Sequence, residues 1–220
     1  MFDPEDRVWL ERSSYVPDGE VEVLFLLSKT FYGGDLKQYR PDAENVTPLP
    51  GFSDEAAAHE VPTAKALGRE QDVLHHYRSL LRLAEANGRS FKDIQPHFWQ
   101  RLVIGGSEGV VRFSWYDTWE EMKGVIDWLA TANSGDDWYD VDQGWELHIV
   151  RQGARFHFRE GSGEGEEFCN LAVGVEAIQS SIAQLKLRFY RIIEVLSEEL
   201  GADLWTAHGA STRLPQVVTR

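Results

Sequence analysis

The sequence predicts an α+β fold, an antiparallel sheet with helices packed mainly on one face. Two alternating segments, residues 145–150 and 154–159, meet at Gln152-Gly153 and read as an antiparallel hairpin. A strand-like run at 168–173 then leads into Ile178, Ile182, Leu185, Phe189, Ile192, Ile193, Leu196 and Leu200, the spacing of a long amphipathic helix. Strand, helix, hairpin, strand and long helix make an α+β order. One domain over residues 1–220 is expected, with a seam near 104–107 and an irregular proline-rich excursion over 40–67.

Each element has its own signal. Residues 1–18 carry two prolines and polar clusters, which predicts turns with a brief strand or helix near 8–11. Residues 21–27 begin as an alternation and end as a continuous apolar run, the pattern of a largely buried strand. Gly33-Gly34 breaks that run. Pro41, Pro48, Pro50 and Pro62 leave little regular structure except a short helix around 53–59. Over 69–87, Val73, Tyr77, Leu80, Leu81 and Ala84 recur at helical spacing, and Gly88 is placed to end the helix in the left-handed conformation. Ser90 with Asp93 marks another helix start, and Gly105-Gly106 marks a turn.

Residues 110–116 alternate as a strand, and Thr118-Trp-Glu-Glu121 is a capping box. The helix it opens carries Met122, Val125, Ile126 and Leu129 on one face and ends near 133–135. Residues 136–142 follow as an acidic loop, and 160–167 as a glycine-rich acidic loop. Gly201 closes the last helix, and the polar tail from 207 is expected to be loosely ordered.

Composition narrows the partners. A net charge of −14 repels nucleic acid and anionic membranes, so neither is expected. A basic protein partner, or solubility alone, accounts for such a balance. Cys169 is the single cysteine, which rules out an intramolecular disulfide and predicts a buried, inert thiol. The chain opens without a basic, then apolar leader, and no apolar run approaches the ~20 residues that span a bilayer. A cytoplasmic protein is expected.

The common chemistries fail one by one. Gly161-Ser-Gly-Glu-Gly165 lacks the strand, helix and lysine of a phosphate loop and is ringed by glutamates. Residues 136–144 match no calcium-loop register, since neither the glycine nor the distal glutamate falls in place. No His-Glu-x-x-His or Gly-x-Ser-x-Gly motif occurs. No catalytic residue, metal or cofactor is therefore assigned. The one acid–base candidate is His148 with His157, placed by the hairpin on one sheet face with Glu146 and Arg159. Alternation alone predicts the same four residues as a solvent-facing polar stripe, and that reading is preferred. An enzyme of unknown class using this cluster is the alternative.

The binding signal lies elsewhere. Residues 107–167 hold 14 of the acidic residues against five basic ones, and five of the eight tryptophans lie between 115 and 145. Trp115, Trp119 and Trp145 read as core, and Trp128 as partly exposed. Asp136, Asp137, Trp138, Tyr139, Asp140 and Asp142 are the expected partner-binding residues, because rings beside carboxylates, if exposed, make anchors for a basic surface; the competing account has Trp138 folding back to plug the end of the sheet. Asp137-Trp-Tyr-Asp-Val-Asp-Gln-Gly-Trp145 before a hairpin, with a long helix ending Leu200-Gly-Ala-Asp-Leu-Trp205, resembles the small acidic bacterial immunity proteins of polymorphic toxin systems. The resemblance spans about 107–205 and implies a non-catalytic inhibitor docking on a basic toxin domain.

Overall fold

The computed structural model describes residues 7–29 and 59–206. The expected helix at 53–59 lies almost wholly outside them, as do Gly33-Gly34 and the tail from 207. The chain groups into two compact units whose segments interleave. The first takes Met1–Glu22, Arg101–Asp117 and Glu121–Leu185, and the second takes Val23–Gln100, Thr118–Glu120 and Lys186–Arg220. Antiparallel pairing with helices makes this the α+β protein the sequence predicts.

The first unit is built on a five-stranded sheet in the order β1-β9-β8-β7-β6, from Ser14–Val16 (β1), Asp137–Asp142 (β6), Trp145–Gln152 (β7), Arg155–Ser162 (β8) and Glu167–Gly174 (β9). All neighbours are antiparallel except β1 with β9. The β7–β8 hairpin is present, but its turn is Gly153-Ala154, with Gln152 opposite Arg155. Ile149 therefore faces Phe158. Gly153 supplies the left-handed conformation the turn needs, at φ 58°.

One face of this sheet is apolar. Leu147, Ile149, Phe156 and Phe158 are fully buried, and Trp128 from α4 (Trp119–Thr131) lies 5.9 Å from Phe156. Met122, Val125, Ile126 and Leu129 of α4 are buried as their spacing predicts. A further strand, Gln100–Gly106 (β4), pairs with Gly109–Arg112 (β5), where the sequence suggested only a turn at Gly105-Gly106. The two glycines answer crowding instead: a Cβ on Gly105 would stand 2.1 Å from the Gly109 carbonyl oxygen. The strand expected over 110–116 stops at Arg112, and the chain turns, with the Tyr116 N–H on the Phe113 carbonyl.

In the second unit, Val23–Leu26 of strand Glu20–Leu26 (β2) is almost wholly buried and pairs with Glu60–Pro62 (β3). The strand and the single helical turn Thr63–Ala66 (α1) arise within the stretch expected to be irregular, with Pro62 preceding the first helical residue. Helix Glu70–Ala86 (α2) buries Val73, Leu74, Tyr77, Leu80, Leu81 and Ala84. Gly88 ends it at φ 62°, and a Ser90–Asp93 capping box starts Phe91–Ile94 (α3), both as expected. Tyr77 stacks on Phe98 at 5.0 Å, with Trp205 edge-on to both. The C-terminal part of Val175–Leu200 (α5) adds Phe189, stacked 4.0 Å from Trp119, and Gly201 closes the helix at φ 75°.

Candidate functional site

The stretch read as an acidic loop is strand β6, at one edge of the five-stranded sheet. Its turn to β7 explains why. Gln143 and Gly144 both have positive φ, 45° and 85°, the two-residue hairpin geometry that twists with its strands. Strand pairing then alternates the predicted binding residues between two faces. Trp138, Asp140 and Asp142 share one; Asp137 and Tyr139 share the other. Asp136 precedes the strand and accepts the Asn133 N–H at 2.7 Å.

On the first face Trp138 is half-buried, 5.8 Å from Trp128, and its indole N–H donates to the Tyr116 hydroxyl at 3.2 Å. That hydroxyl in turn donates to Asp140. Burial, followed by the hydrogen bond to Asp140, raises the Tyr116 phenol well above its ordinary range, so it stays a donor. Trp138 is thereby both packed and partly open. Beside it lies a cleft of about 320 Å³ lined by Trp115, Tyr116, Glu121, Asp140, Val141 and Asp142. Trp115, expected in the core, is 40% exposed because β5 ends three residues before it. Trp119 and Trp145 are core, as expected.

Four cleft-lining residues, Trp115, Tyr116, Glu121 and Val141, were not among the expected binding residues. The capping-box pattern marks the start of α4, but no local pattern specifies the turn after β5 or brings Trp115 and Glu121 to Asp140 and Asp142. Behind the cleft, Trp145 donates its indole N–H to Glu160 at 2.8 Å, and the Arg112 backbone N–H reaches the other oxygen at 3.0 Å. Burial raises the Glu160 carboxyl even so.

The opposite face carries the acid–base candidates. His148, His157, Glu146 and Arg159 do share one sheet face, His148 opposite Arg159 and His157 opposite Val150. The face does not meet solvent, however. The 3-10 turn Val8–Arg12 and Ser13 lie over it, and Glu146, His148 and His157 are buried. Trp9 stands 5.3 Å from His148 and 6.4 Å from His157, and His157 Nδ1 lies 3.1 Å from Ser13 Oγ. Ser13 Oγ donates to Asn170 Oδ1 at 2.7 Å. The expected solvent-facing stripe is thus a covered layer, and the cover comes from a segment 130 or more residues away in the chain.

Asp137 and Tyr139 border that layer. Arg7 pairs with Asp137 at 2.9 Å, and Tyr139 stands edge-on to His148 at 5.5 Å. Cys169 is half-buried rather than buried; burial, then Glu160 and Glu167, push its thiol up to about 11, which keeps it protonated at neutral pH. Among the described residues, no group of three or more His, Cys, Asp or Glu is placed to hold a metal ion. None of their helices is long and apolar enough to cross a membrane. The chain matches no protein-family model, no curated protein and no solved structure.

Proposed function

We propose that this chain is a non-catalytic binding module that engages a basic protein through strand β6 and the cleft beside it. The observation that carries the reading is the cleft, where Glu121, Asp140 and Asp142 surround the exposed Trp115 indole and the Tyr116 ring. A lysine or arginine side chain entering there exchanges water for carboxylates and an aromatic face. Because β6 is an edge strand, an extended basic segment can also lie along it and pair with its backbone. Exposed Asp136 and Asp142 would steer such a partner by charge. An inhibitor of the immunity type, docked on a basic toxin domain, is the form that the sequence resemblance suggests. The burial of His148 and His157 under Trp9 argues against the enzymatic alternative.

Calorimetry with a peptide of alternating lysine and valine tests this. Saturable binding is expected, weaker in high salt, and reduced about tenfold (near 1.4 kcal/mol) by Asp140→Asn with Asp142→Asn. Equal affinity for an alternating serine–valine peptide, or undiminished binding by the variant, contradicts it.

A further inference from the structure

We propose that residues 7–16 form a pH-operated latch, closed over the polar face of the five-stranded sheet at neutral pH and released when His148 takes a proton. The latch is held by Arg7 on Asp137, by Trp9 over both histidines, by Leu10 beside Val150, by Ser13 between His157 and Asn170, and by β1 on the edge of the sheet. A 3-10 turn and a three-residue edge strand are small elements that can open without the sheet unfolding.

His148 is the weak point in this cover. It is 0% exposed, and neither ring nitrogen has a hydrogen-bond partner. A neutral imidazole is tolerated there because its flanks are rings, Trp9 and Tyr139. A charged imidazolium is disfavoured, because its Nδ1–H would be buried without an acceptor and its Nε2–H would have only Asp137 to reach. The charges around it are mixed. Asp137 of β6 lies 3.6 Å from Nε2, but Arg7 of the latch already engages that same carboxylate oxygen. Arg159 faces His148 from β8, and Glu146 lies two residues before it on β7. His157, also on β8, shares the Trp9 cover.

Burial first, then Arg7, holds the His148 pKa below its ordinary 6.5 against the pull of Asp137. Burial and Arg155 do the same for His157. The open state would take its proton near 6.5 and the closed state only at lower pH. Closure is therefore strongest above 6.5 and weakens as pH falls from 6.5 toward the closed-state value.

Amide hydrogen exchange of the full chain at pH 7.5 and pH 5.5, corrected for intrinsic exchange, reads the latch through residues 8–16. Their protection should fall by up to about tenfold over that interval, the limit for one proton taken up by the open state alone, while β7 and β8 keep theirs. His148→Phe should abolish most of the fall. Equal protection at the two pH values, or a fall that survives His148→Phe undiminished, overturns the proposal. Should that variant not fold, the His148 ring resonances of the unaltered protein decide: a titration midpoint below 6.5 supports the latch, and one at or above 6.5 overturns it.

Discussion

The two faces of the five-stranded sheet are both buried, by opposite chemistry. One presents Leu147, Ile149, Phe156 and Phe158, with the apolar side of α4 represented there by Trp128. The other presents Glu146, His148, His157 and Asn170 beneath a short N-terminal segment. Alternation along β7 and β8 separates polar from apolar residues cleanly, yet says nothing about which face meets water. An apolar face drives its own burial through loss of contact with water. The polar face depends on a large side chain, Trp9, and on a handful of hydrogen bonds around Ser13. Its cover is thus the more conditional of the two.

That contrast can be broken by truncating each cover. Phe158→Ala and Trp9→Ala should each cost about 3–5 kcal/mol in urea unfolding, since both remove fully buried rings. A Trp9→Ala cost under about 1 kcal/mol would show that the polar face is not a second core. Trp145→Phe should cost about 1–3 kcal/mol by leaving a Glu160 oxygen without its donor. A cost near zero would mean that water replaces the indole.

A pH series sharpens the comparison further. Because His148 and His157 are held below 6.5, stability should fall as pH drops below that value, by at most about 1.4 kcal/mol per pH unit for each proton taken up. With both replaced by phenylalanine, the dependence between pH 7 and pH 5.5 should shrink; an unchanged slope would assign it to other groups. The smallest effect is expected at the rim. Asp142→Asn should leave the thermal midpoint within the shift of about 0.5 kcal/mol typical of exposed sites. A larger loss would make Asp142 part of the scaffold.

Legibility in the sequence followed the range of the interactions. The α2, α4 and α5 helices, their buried stripes, the Gly88 and Gly201 ends and the β7–β8 hairpin all rest on local patterns, and all are present. Strand β6 was hidden because aspartate is a poor strand residue and Gln143-Gly144 is an uncommon form of the hairpin turn. Strand β4 was hidden because Gly105 reads as a turn until its crowding against Gly109 is seen. Of the expected binding residues, Asp140 and Asp142 reach the cleft, while Asp137 and Tyr139 face the histidines. Trp115 continued an alternation that the backbone abandons at Arg112. The cover over His148 is a long-range contact that no local window contains.

The central functional claim is that basic side chains enter the Trp115 cleft. The most direct measurement follows the tryptophan indole N–H resonances of the nitrogen-15-labelled protein during titration with the lysine–valine peptide. The Trp115 signal is expected to move saturably, with Trp138 following it through Tyr116 and high salt suppressing both. A Trp115 indole that stays fixed while the peptide binds would contradict the claim.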